Sequence, residues 1–119
     1  VFPVYTVLLN LRWISNNGGL EVVGAQNDKK AALIYNEIDR NPLFEGFAHF
    51  DDRSNMNATF NLTDDKQAGV FDSLWNQANI SGLKGHRSVG GYRASIYNAL
   101  PIESIQVLVD CMQEFERKA

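Results

Sequence analysis

Between Arg53 and Leu62 the chain alternates without a break: Met56, Ala58, Phe60 and Leu62 are apolar, and Asn57, Thr59 and Asn61 separate them. A period of two belongs to a strand with one face buried and one face wet. On both sides of this stretch the apolar period is helical. From Pro3, which suits a first helical turn, Val4, Val7, Leu8, Leu11 and Ile14 share a face until the turn residues of "NNGG" (16–19). A second helix is expected over about 20–40. Its stripe is Ala31, Ala32, Ile34, Tyr35 and Ile38, and Asn41-Pro42 ends it. Thr63, Asp64 and Asp65 offer capping oxygens to a third helix over 66–79, with Val70, Leu74 and Ala78 inward and Gly82 as its stop. "LKGH" and "YRASIY" read as two further short strands. Pro101 opens a last helix whose stripe is Ile102, Ile105, Leu108, Val109, Met112 and Phe115. About four helices on one face of an about three-stranded sheet is an α+β arrangement.

A length of 119 residues supports one modest core, and 45% hydrophobic with 21% charged residues is ordinary for a globular chain. Eleven basic residues and a net charge of −3 build no broad basic face, so nucleic acid is excluded as a partner. No apolar run approaches the roughly 20 residues of a membrane span, and a cytoplasmic location is expected. A single cysteine, Cys111, permits no internal disulfide and no cysteine-rich metal site; it reads as a small buried hydrophobe. The Asn-x-Ser/Thr triplets at Asn57, Asn61 and Asn79 read as incidental. A chain that opens inside a helix, without methionine, is expected to be a piece of a longer protein.

One stretch concentrates cations. In "KGHRSVGGYRASIYNALP" (84–101), His86, Arg87 and Arg93 surround Gly90-Gly91, and Gly85 precedes them. A guanidinium is a rigid fork of donors that matches carboxylate or phosphate oxygens in pairs. An imidazole beside an anion becomes a cationic donor, and glycines admit backbone N–H groups to a ligand. Arg93, Ser95 and Tyr97 share one face of a strand. The residues alone leave two readings open: an anion-gripping site, or solvated cations beside a tight turn. Neither the dinucleotide nor the Walker glycine spacing is present. His49 lacks a partner at metal-ligand spacing and reads as structural; no metal site is expected. Lys29-Lys30 reads as a solvated helix face, and Trp13 and Trp75 as packing residues. No nucleophile–base arrangement and no pair of carboxylates stands out.

The same stretch, followed by "VLVDCMQEFERK", resembles the carboxy-terminal end of the phosphoserine aminotransferase family, class V pyridoxal-phosphate-dependent enzymes. "RSNMNATF" resembles that family's RS-x-MN strand. "VFPVYTVLLNLRWI" is similar to the helix after its Asn-Thr-Pro-Pro segment. Leu100 departs from a common methionine. The resemblance covers nearly the whole chain and implies the small carboxy-terminal domain of a fold-type I homodimer. Residues 1–18 would be the connecting helix from a large domain, and 19–119 the small domain. It further implies amino transfer between glutamate and 3-phosphohydroxypyruvate, giving 2-oxoglutarate and O-phosphoserine, in serine and often pyridoxine biosynthesis. Arg93 would hold the substrate α-carboxylate. His86 and Arg87 would receive the phosphate or distal carboxylate, in this subunit's site or its neighbour's.

By the same resemblance, no catalytic or cofactor-binding residue is expected within this chain. The family's Schiff-base lysine, pyridine-facing aspartate, stacking tryptophan and Asn-Thr pair all lie upstream, so the piece alone is expected to be inactive. Apolar side chains on the first helix would favour self-association. Two other readings remain: another class V member, such as a serine–glyoxylate aminotransferase or a cysteine desulfurase, and an independent, non-catalytic module that binds small anions.

Overall fold

The computed structural model describes residues 1–85 and 90–118. In chain order the elements are α1 (Phe2–Asn16), α2 (Gly19–Arg40), β1 (Phe44–Gly46), β2 (Asn57–Leu62), α3 (Ala68–Gln77), β3 (Tyr92–Ser95) and α4 (Ile102–Lys118). Single 3-10 turns sit at Phe50–Asp52 and Asp65–Gln67. The sheet is antiparallel in the order β1-β2-β3, with Phe44 opposite Leu62, Phe60 opposite Tyr92 and Thr59 opposite Arg93. α2 packs on α4 and on the sheet, and α3 packs on α4. The expected α+β layering is present.

β2 follows its alternation, with Ala58, Phe60 and Leu62 buried. On α4, Ile105, Leu108, Val109, Met112 and Phe115 are buried as expected, together with Cys111, while Ile102 is exposed. Burial pushes the Cys111 thiol pKa up, and Asp110 adds to that, so the thiol serves as a packing group. The centre of the core is aromatic. Phe44, Phe71 and Phe115 meet edge to face or tilted at 5.0–5.6 Å, and Phe60 stacks on Tyr92 at 5.5 Å. Such pairs add about 0.5–1.5 kcal/mol each beyond the area they bury.

Several expectations need correction. The third strand of the sheet is β1, not "LKGH". Of that tetrapeptide Lys84 makes one isolated bridge to Tyr92, and His86 lies outside the described residues. The buried face of α3 is Phe71 and Trp75, flanked by half-buried Leu74 and Ala78; Val70 is 49% exposed. The stripe is centred one residue later than expected, on a helix that starts only after the Asp65–Gln67 turn. Asn79 (φ 63), rather than Gly82, closes α3. Ile80 N–H donates to Trp75 O and Asn79 N–H to Asn76 O, a Schellman pairing around a left-handed residue. Ala32 is exposed, and Lys30 is not solvated but 2% exposed.

The first helix, α1, stands apart. It lies against α2 and buries none of its own side chains; Phe2, Val4, Val7 and Leu11 are exposed. No helix among the described residues is long and apolar enough to cross a membrane.

Candidate functional site

The two faces of the sheet differ in chemistry. Tyr92, Ala94 and Ile96 turn into the core, which forces Arg93, Ser95 and Tyr97 outward. Opposite them on β2 stand Thr59 and Asn57, and Ser95 Oγ donates to Asn57 Oδ1 at 3.3 Å. Asn61 and its β1 partner Glu45 complete a polar outer face.

β3 ends the sheet order, but its far side is not bare. Arg93 N–H donates to Leu83 O at 2.7 Å, Lys84 bridges Tyr92, and Gly85 N–H donates to Gly91 O at 2.9 Å. Residues 83–85 therefore run antiparallel beside β3. The two stems of the intervening segment are pinched together, and the glycines there are required. Gly91 has φ 69, and a Cβ on it would collide with the Asn61 side chain and the Phe60 carbonyl. A Cβ on Gly85 would run into Gly90's carbonyl.

His86 and Arg87 lie outside the described residues. Their stems are described: Gly85 and Gly90 line, with Arg93, Thr59 and Phe47, a 170 Å³ pocket on the outer face. Arg93 also borders a second pocket of 360 Å³, with Asn79, Ser95 and Ser104 among its polar lining and Ile105 and Leu108 among its apolar walls.

The electrostatic setting separates Arg93 from three of the other arginines. Arg40 pairs with Glu37 and Glu116, Arg53 with Asp39, and Arg117 with Glu114. The Arg53 guanidinium, in the "RSNMN" stretch, also lies 4.7 Å from the centre of the Tyr35 ring, so that arginine serves folding. Among the described residues no carboxylate pairs with Arg93, and its side chain is exposed.

Asp72 on α3 ties the base of this site together, and no local pattern marks it. Its Oδ1 accepts from Tyr92 Oη at 2.7 Å and from Trp75 Nε1 at 3.0 Å. Its Oδ2 lies 3.3 Å from Lys84 Nζ. Burial, helped by Asp72, drives the Tyr92 phenol pKa above the ordinary range, so Tyr92 stays a neutral donor. His49 is exposed, and its carbonyl accepts from Asp52 N–H at 2.9 Å. No metal-type cluster occurs among the described residues.

No protein-family model matches the chain. Individual relatives do. A phosphoserine aminotransferase of Flavobacterium psychrophilum is 58% identical over 118 residues, 99% of this chain and 33% of that protein. One of Flavobacterium johnsoniae is 60% identical over the same shares. Among solved structures, phosphoserine aminotransferase from Bacillus circulans subsp. alkalophilus matches with a TM-score of 0.90 and 47% identity. That match covers 98% of this chain and 33% of that one. A PLP-bound phosphoserine aminotransferase from Trichomonas vaginalis matches with a TM-score of 0.77 and 39% identity, over 86% and 30%. The chain spans about a third of the length of the curated relatives it matches.

Proposed function

From the family to which the chain belongs in sequence and fold, the phosphoserine aminotransferases, we propose that it supplies the substrate-binding edge of such an enzyme. The reaction is amino transfer between glutamate and 3-phosphohydroxypyruvate, giving 2-oxoglutarate and O-phosphoserine, with the cytoplasm as its compartment and a homodimer as its working form. Both amino-acid substrates carry an α-carboxylate and differ in the distal anion. Arg93 binds the shared carboxylate through two parallel N–H···O bonds. His86 and Arg87 receive the group that differs, phosphate in one half-reaction and carboxylate in the other. One pocket that serves two substrates in turn suits a ping-pong transaminase.

The observation that carries this reading is Arg93. It is held by its backbone on both sides, stands on a polar sheet face and has no carboxylate partner among the described residues. The exposed apolar surface of α1 supports the division into a connecting helix, 1–18, and a small domain, 19–119.

Enzymes of this family depend on pyridoxal phosphate, which supplies the electron sink when bound. The lysines of this chain do not fit that group. Lys30 Nζ is committed to backbone carbonyls, Lys84 faces Asp72, and neither pocket that Arg93 borders is lined by a lysine. The cofactor is therefore assigned to chain beyond these residues, and the piece alone to an inactive state.

The test is Arg93→Ala in the full-length enzyme. Two charge-assisted hydrogen bonds at about 1.5–3 kcal/mol each amount to about 3–6 kcal/mol. At 1.4 kcal/mol per decade, kcat/KM falls about 10²- to 10⁴-fold. The melting temperature stays put, because no side-chain partner among the described residues is lost. Normal turnover by this variant would refute the role.

A further inference from the structure

Asn27 and Lys30 lie one turn apart on α2, and both are buried, at 7% and 2% exposure. Both reach across to the segment between β3 and α4. Lys30 Nζ donates to the carbonyls of Tyr97 at 2.8 Å, Leu100 at 2.9 Å and Asn98 at 3.4 Å; Asn27 Nδ2 donates to Asn98 Oδ1 at 2.8 Å. The segment is a turn, with Leu100 N–H on Tyr97 O at 3.0 Å. It begins one residue after the last rung beside β2, Ile96 N–H to Met56 O at 2.7 Å.

A buried ammonium is expensive. Among the described residues no carboxylate pairs with Lys30, so carbonyl dipoles alone offset the lost hydration, and burial pulls its pKa below that of a free lysine. An apolar side chain of similar length would fill the space without that cost. What the cation adds is direction: three carbonyls of an irregular turn are made to converge on one point, which fixes the turn's conformation.

That turn is the anchor of the strand that carries Arg93. At its other end β3 is pinned by Gly91 against Phe60 and Asn61 and by the Gly85–Gly91 hydrogen bond. Tyr97, whose carbonyl is Lys30's first acceptor, lies on the same outward row as Arg93 and Ser95. A guanidinium fork must meet a carboxylate nearly in plane, so slack at either end of the strand is felt in substrate binding.

We propose that Lys30 is a positioning residue for substrate binding, a buried cation that clamps the Tyr97–Leu100 turn and so holds Arg93 in register with the substrate carboxylate. This rests on the reading of Arg93 given above. The experiment uses the full-length enzyme with Lys30→Met, Lys30→Arg, Arg93→Ala and the Lys30→Met/Arg93→Ala double variant, and measures KM for glutamate and for 3-phosphohydroxypyruvate. Lys30→Met is expected to raise both KM values about tenfold, with kcat changed less than about threefold. Lys30→Arg restores part of the loss, and the double variant is no worse than Arg93→Ala alone.

Unchanged KM values in Lys30→Met, even with a lowered melting temperature, beside a crippled Arg93→Ala enzyme would overturn the clamp's role alone. Normal KM values in Arg93→Ala would take down the reading of the site, and the clamp's role with it. If Lys30→Met fails to fold, Asn27→Ala decides. A smaller rise in both KM values supports the clamp, and unchanged values overturn it.

Discussion

Gly90 and Gly91 are neighbours with the same backbone conformation, φ 75 and φ 69, yet their surroundings differ. A Cβ on Gly90 would meet nothing within 4 Å among the described residues. One on Gly91 would overlap the Asn61 side chain and come to 3.0 Å from the Phe60 carbonyl oxygen. An alanine at either position bears the left-handed penalty, roughly 1–2 kcal/mol. Each also gains about 0.4–1 kcal/mol from a less flexible unfolded chain. These two contributions cancel when the variants are compared. What remains at Gly91 is overpacking. The Asn61 amide can rotate away, but the Phe60 carbonyl belongs to the central strand and cannot move without disturbing its pairing with Tyr92. That contribution is about 1–3 kcal/mol. Gly91→Ala should therefore unfold at lower urea than Gly90→Ala. For a difference near 2 kcal/mol and an m value of roughly 1–3 kcal/mol/M, the midpoints separate by roughly 0.7–2 M. Fluorescence of the buried Trp75 reports the transition. Coincident midpoints would refute the claim that close approach, rather than backbone conformation alone, demands glycine at 91.

Substitutions at Asp72, Lys84 and Glu37 test the base of the site and the α2–α4 contact. Asp72→Ala orphans the Tyr92 hydroxyl and the Trp75 indole N–H, at about 1–3 kcal/mol for each buried donor, whereas Asp72→Asn keeps an acceptor and costs less; thermal melts of the two variants check the order. The exposed Lys84 contact to Asp72 contributes little, so Lys84→Ala should barely move the melting temperature. Burial pushes the Glu37 carboxyl up, but hydrogen bonds from Arg40, Asn41 and Gln113 outweigh it and hold its pKa below the ordinary value. The sign follows: its contribution to stability is complete above the ordinary carboxylate range and is lost as pH falls through the depressed pKa. Glu37→Gln should flatten the acid limb of a stability–pH profile, and an unchanged limb would contradict the assignment.

How much of this was legible in the sequence follows from how local each signal is. The inward row Ala58, Phe60, Leu62 and the stripe of α4 were legible because period alone decides which side chains meet the core. So was the outward facing of Arg93 and Ser95, from the alternation that buries Tyr92 and Ala94. β1 was not, since three residues with one buried side chain, Phe44, carry no period. Asn79 lost to Gly82 as the expected helix stop because a left-handed asparagine is chosen by the carbonyls it satisfies, which depend on where α3 ends. Lys30 was misread for a related reason. Its three acceptors lie 67 to 70 residues away in the chain; only its place on the row of Val23 and Ile34 set it apart from the exposed Lys29, and a charged residue there was read as solvated.

Arg53 and Arg93 make the same point for the candidate site. Both were drawn from motif-like stretches, and as residue types they offer the same fork of donors. In the fold, Arg53 spends it on Asp39 across the α2 surface, with Tyr35 and Phe50 against its guanidinium plane. Asp72 is engaged by Tyr92, Trp75 and Lys84, and Glu37 and Glu116 by Arg40, whereas Glu45, on the outer face that carries Arg93, forms no ion pair with it among the described residues. An arginine is available to a foreign carboxylate only when none of the protein's own carboxylates reaches it. That condition belongs to the fold: the sheet turns Arg93 outward, and among the described residues no carboxylate pairs with it.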